Sequence, residues 1–139
     1  MSFWQSSTTT WRRSATFAVK ARSPLTSRSS RGEWSFVFFD RQYSHAVLKR
    51  AAAGEFRVHI EWGGTVESAV APPALVRDAQ QVVDRLDLQV AYARVDGTDV
   101  GGRLMLMELE LIEPELFLDH HPDAAARLAT SVLRQLTRP

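Results

Sequence analysis

Asp96, Glu108 and Glu110 offer oxygen ligands only, with no cysteine in the chain and no histidine close by in sequence. That donor set suits a hard cation, Mg²⁺ or Mn²⁺, rather than Zn²⁺. Lys49, Arg57 and Arg94 form the matching basic set. Each lies in a strand-like stretch, Arg57 between Phe56 and Val58, Arg94 between Ala93 and Val95. Donor forks aimed inward from such positions suit phosphate or carboxylate. Taken singly, each is more often a solvated or salt-bridged side chain. Three of them beside a carboxylate cluster point to a phosphoryl site.

The elements that must position these residues read with a period of two. From Val90 to Asp96 one face carries Val90, Tyr92, Arg94 and Asp96, and the other Ala91, Ala93 and Val95. From Leu104 to Ile112, Glu108 and Glu110 share a face with Leu104, Leu106 and Ile112, opposite Met105, Met107, Leu109 and Leu111. A strand apolar on both sides is expected to be buried. Its two carboxylates then lie about 7 Å apart, and burying both without a cation costs several kcal/mol. A divalent metal, Arg94, or both must answer them. The competing reading is an exposed hairpin with its charges in water. Symmetric closure of the loop Gly97 to Gly102 would set Glu108 opposite Tyr92, so a bulge or strong twist is needed to bring it to Asp96.

Around this pair the chain reads as strands over 32–40, 43–49 and 56–62, the last ended by Gly63-Gly64, which permits a turn or a loop hugging a ligand. Leu75, Val76, Ala79, Val82, Val83 and Leu86 repeat at helical spacing from about Pro73 to Asp87. After the strand pair, a short helical turn is expected from Pro114 to Leu118. A last helix begins near Pro122-Asp123, with Ala125, Leu128, Ala129, Val132, Leu133 and Leu136 on one side and Arg127, Arg134 and Arg138 facing out. The order β-β-β-α-β-β-α predicts an α+β fold: a mainly antiparallel sheet with helices packed on one face.

The net charge of +1 conceals an asymmetry. Residues 1–31 hold six of the 17 Lys/Arg, none of the 16 Asp/Glu, and thirteen Ser/Thr. This segment is expected to be poorly ordered; a transit peptide, a nucleic-acid-touching tail, a misjoined start and a solvated tail without a role are the readings it allows. Residues 32–139 form the domain. Basic residues there do not alternate with aromatics, so a nucleic-acid partner is not expected. No apolar run approaches a membrane span. The absence of cysteine fits a reducing, cytoplasmic compartment. His45 and His59 on strands, and His120-His121 in a loop, read as core or surface residues before catalytic ones. The chain has no nucleophile elbow, no GxxxxGK[ST] and no GxGxxG.

Taken together, Gly32-Glu33-Trp34-Ser35, Ser44-His45-Ala46-Val47-Leu48-Lys49, Gly54-Glu55-Phe56-Arg57, Gly63-Gly64, Arg94-Val95-Asp96 and Glu108-Leu109-Glu110-Leu111-Ile112-Glu113-Pro114 run in an order that resembles the ATP-grasp superfamily. The glutathione synthetase-like branch, with kinship to D-alanine–D-alanine ligase, is the nearest in pattern, over about residues 32–137. The resemblance implies a carboxylate–amine ligase that activates its acid as an acyl phosphate with Mg-ATP. It assigns Asp96, Glu108 and Glu110 to Mg²⁺ (or Mn²⁺), with Glu110 where the family often has Asn. Arg94 would steady the transferring phosphoryl group, Lys49 and Arg57 would lie near phosphate or substrate, and Gly63 and Gly64 would shape a loop over them. The family's N-terminal α/β domain and central lobe find no match in residues 1–31. A truncated domain, inactive alone, is therefore expected, with a homo-oligomer or a complementing lobe as its partner. The alternative is a non-catalytic remnant docking through an exposed sheet.

Overall fold

The computed structural model describes residues 32–51 and 64–137. Five antiparallel strands form one sheet in the order β3-β2-β1-β4-β5. They are β1 (Glu33–Phe39), β2 (Gln42–Arg50), β3 (Thr65–Ser68), β4 (Tyr92–Val100) and β5 (Arg103–Glu110). The expected strand at 56–62 lies outside the described residues. The apolar run of β1, interrupted only by Ser35, suits the central strand, and Trp34 to Phe39 are all buried.

That two-sided burial shows where the helices go. Helix α1 (Pro73–Asp84) lays Leu75, Ala79 and Val83 over Trp34, Phe36 and Phe38. Helix α2 (Ala124–Leu136) places Ala124 and Leu128 with Val37 and Phe39. Alternate residues of a strand point to opposite faces. The fold is α+β with an antiparallel sheet, as expected, but its two helices cover opposite faces rather than one.

The β1–β2 hairpin turns on Asp40 and Arg41, both at positive φ (48° and 66°). A two-residue hairpin of this twist demands that conformation, normally from Asn or Gly. Here both helices hold the turn. Arg41 donates to the carbonyls of Val83, Asp84, Leu86 and Leu88 at 2.7–3.1 Å, satisfying the end of α1. The Asp40 carboxylate accepts from Arg134 of α2 at 3.1 Å.

Two further expectations change. Residues 114–117 form no helical turn. They run as a strap whose Phe117 sits in the left-handed region (φ 47°), and a short 3-10 turn, Leu118–His120, follows. The cause is anchoring: the His45 ring lies 3.1 and 3.2 Å from the carbonyls of Leu116 and Phe117, and the Phe117 ring is buried. Helix α2 is also rotated from its apolar stripe. Ala124 and Ser131 face inward, while Leu133 and Leu136 are 60% and 76% exposed. Polar ties set this rotation: Arg127 donates to the Ser44 carbonyl and Ser131 to that of Ala91.

Candidate functional site

Strands β4 and β5 pair Val100↔Arg103 through Gly97↔Leu106 around a Gly101-Gly102 turn, both glycines at positive φ. The register then slips by one residue between Asp96 and Gly97, so that Asp96 pairs with Glu108 and Arg94 with Glu110. The bulge that the sequence called for is present. The turn also lies further along than symmetric closure of 97–102 would place it, and the two effects together carry Glu108 from Tyr92 to Asp96.

The same bulge reverses the phase of β5. Leu104 and Leu106 pack with Leu109 and Leu111 on the α1 face, and Glu108 and Glu110 turn to the opposite face with Asp96. The expected face, Glu108 and Glu110 with Leu104 and Leu106, is therefore corrected. Burial on both sides is corrected too: β5 is an edge strand, and Met105 and Met107 are 37% and 38% exposed. An unshifted strand would have sent either the leucines or the acids into the wrong medium.

Asp96, only 2% exposed, is the hub. Arg94 Nε donates to both of its carboxylate oxygens at 3.1 Å, and Nη2 to Oδ2 at 2.8 Å. Arg94 Nη2 also pairs with Glu110 at 2.9 Å. Its Nη1 donates to the Glu115 carbonyl at 3.1 Å, and its guanidinium lies 5.8 Å from the centre of the Phe117 ring. The strap thus fixes Arg94 from below. Lys49 lies 3.8 Å from Asp96 Oδ1 and is ion-paired with Glu33, its partner across the strands. Ser35, paired with Asp96 on β1, donates its hydroxyl to Oδ1 at 2.5 Å.

Burial would lower the pKa of Arg94, but its hydrogen bond to Asp96 and the charges of Asp96, Glu110 and Glu108 outweigh this and raise it. Burial pushes the Glu110 carboxyl above its ordinary value. Arg94 opposes the shift, whereas Glu108 and Asp96 reinforce it. Crowded negative charge contributes to both shifts, second to burial at Glu110. Glu33, Asp96, Glu108 and Glu110 face two cations, Lys49 and Arg94, leaving two negative charges over when all are ionised.

One oxygen from each of Asp96, Glu108 and Glu110 lies within 4.8 Å of the others. Opposite ligands on Mg²⁺ stand about 4.2 Å apart, so a small side-chain rotation brings the set into coordinating range. Donor type, charge and spacing all fit a divalent cation.

Of the residues expected at the site, the fold brings together Asp96, Glu108, Glu110, Arg94 and Lys49. Arg57 and Gly63 lie outside the described residues. Gly64 leads into β3, at the opposite edge of the sheet from β5. The sequence reading gave no role to Ser35 or Glu33. Ser35 could have been found as the one hydroxyl inside the apolar run of β1. His45 is a satisfied core residue, its ring also 3.0 Å from the Ser44 hydroxyl, and burial lowers its pKa.

This sheet with its two helices matches one lobe of the ATP-grasp fold, and its neighbours among solved structures are ATP-grasp enzymes. The structure of D-cycloserine synthetase DcsG aligns over 77% of this chain and 39% of its own, with a TM-score of 0.58 and 28% identity. The cycloserine biosynthesis protein DcsG of Streptomyces lavendulae is 34% identical over 117 residues, which are 76% of this chain and 38% of that protein. D-alanine–D-alanine ligase from Bacillus anthracis, complexed with ATP, aligns over 74% of this chain and 38% of its own, with a TM-score of 0.53; at 20% identity it attests the fold alone. The chain thus spans about two fifths of the length of the relatives it matches. No family model matches it.

Proposed function

We propose that this chain carries the metal- and phosphate-binding lobe of an ATP-dependent carboxylate–amine ligase. The observation behind this reading is the convergence of Asp96, Glu108 and Glu110 on one face, with two negative charges left over beside two donor-rich cations. Asp96, Glu108 and Glu110 would hold Mg²⁺ or Mn²⁺. When bound, the metal would neutralise phosphate oxygens of ATP, which is what acyl-phosphate formation requires. Arg94 and Lys49 stand beside those positions and would orient the transferring group. Arg57 and Gly63 would contribute from the remaining chain, and Gly64 from just ahead of β3. The relatives named a synthetase and a ligase, one of them bound to ATP, support the reaction class. Binding rather than turnover is the outcome proposed for these 139 residues on their own.

Calorimetry with Mg-ATP tests the reading: weak binding should be measurable and should vanish in Glu108→Ala. No heat at millimolar Mg-ATP would refute it. Docking through an exposed sheet has less support, because β1 is covered on both faces and the most exposed leucines lie on α2.

A further inference from the structure

Ser35 is fully buried in the central strand, among Trp34, Phe36, Val37 and Phe38. A hydroxyl there costs stability unless it is bonded, and its partner is the most buried of the three acids. We infer that Ser35 is a positioning residue for the metal site: its hydroxyl fixes the Asp96 carboxylate in the orientation that faces Glu108. The inference rests on the metal-binding reading above.

The geometry makes the role specific. Arg94 grips Asp96 along β4, two residues away in its own strand. That grip comes from one side only, and its Nη2 is shared with Glu110. Ser35 reaches the same carboxylate from the neighbouring strand, at the directly paired position. Two donors on different strands lock it. Lys49 waits 3.8 Å from the same oxygen, Oδ1. Without the hydroxyl, Oδ1 keeps only the 3.1 Å bond from Arg94 Nε, and the Lys49 ammonium is the nearest further donor. Asp96 would then turn toward Lys49 and away from Glu108.

The test is Mn²⁺ binding to the full chain, read by electron paramagnetic resonance of the free ion, with thermal melting followed alongside. Ser35→Ala should bind Mn²⁺ at least tenfold more weakly while still melting cooperatively. Ser35→Thr, which restores the hydroxyl, should bind within about threefold of the parent, because one donor hydrogen bond is retained. Ser35→Cys, close in shape but a poor donor, should resemble Ser35→Ala, and it decides the matter if the alanine variant fails to fold. Parent-like affinity in the folded alanine or cysteine variant would overturn the role while leaving the metal reading intact. Absence of Mn²⁺ binding by the parent protein would overturn both.

Discussion

Gly97→Ala is the sharpest test of how this fold builds its acid cluster. A Cβ at Gly97 would lie 2.5 Å from the Met105 carbonyl oxygen and 2.7 Å from Leu104 Cδ1. The leucine methyl can rotate away, but the carbonyl belongs to the backbone of the paired strand. Reaching ordinary contact requires that oxygen to retreat by about 0.9 Å, starting from the separation just given. Overpacking of this kind costs about 1–3 kcal/mol, and the backbone contact argues for the upper half. Restricting the unfolded chain returns about 0.4–1 kcal/mol. A net loss of about 2 kcal/mol lowers Tm by roughly 8–16 °C for a folded body of this size. The effect on the metal should be larger in proportion. The next rung is Asp96↔Glu108, and coordination tolerates only about 0.2 Å of error in ligand distance. Circular dichroism melting gives the first quantity, and Mn²⁺ titration should give at least a tenfold weaker affinity. A variant that melts and binds like the parent would refute the claim that the glycine-dependent bulge sets the acid register.

Arg94→Met removes the guanidinium from Asp96, which is almost fully buried, and should cost about 3–5 kcal/mol by leaving an uncompensated charge; urea unfolding measures it, and a loss below about 1 kcal/mol would count against the hub. Arg41→Ala strips two carbonyls at the end of α1 and two just beyond it of their charged donor and should cost about 2 kcal/mol, with faster hydrogen exchange in the last turn of α1 as the signature. His45 contributes a pH dependence of its own. Burial lowers its pKa below the ordinary 6.5 in the folded state, so the unfolded chain binds its proton first. Its contribution to stability should be level above that value and decline as pH falls from 6.5 toward the lowered folded pKa. In His45→Gln this part of the slope should flatten; an unchanged slope would assign it to another group.

The sheet was legible wherever one residue pattern outweighed everything else. The apolar run Trp34–Phe39, the helical repeat through Leu75, Ala79 and Val83, and the β4–β5 hairpin all follow from periodicity and turn chemistry. The acid set was legible as well, because two carboxylates in a leucine- and methionine-rich strand demand a compensating charge. What escaped the reading was set by contacts distant in sequence. The rotation of α2 depends on Arg127 meeting the Ser44 carbonyl and Arg134 meeting Asp40, and these outweigh its leucine stripe. The 114–117 strap is held by His45 and Arg94 from other strands. The face of Glu108 depends on a bulge whose need could be inferred but whose position could not, since shifting it by one residue leaves the composition of β5 unchanged. The apolar run of β1 needs cover on both of its faces, which one layer of helices does not provide.

The electrostatics of the site bear on its chemistry more directly than any single distance. Four carboxylates against two cations leave a deficit of two positive charges, the charge of one divalent ion. The fold does not relieve that deficit by spreading the acids apart. The strap, the Ser35 hydroxyl and the bulge all press them together, and Glu110, its pKa raised first by burial, is raised further by Glu108 and Asp96. Holding like charges close has no benefit for folding, since surface acids moved a few ångströms into water would cost almost nothing. Arg94 shows the same bias: its Nη1 is tied to the Glu115 carbonyl, while Nη2 is divided between Asp96 and Glu110. A cation that relieved it of Glu110 would leave the guanidinium anchored and one edge free to meet an anion. Metal and phosphoryl oxygens would then be accommodated by a single rearrangement of charge, with the backbone of β4 and β5 unmoved.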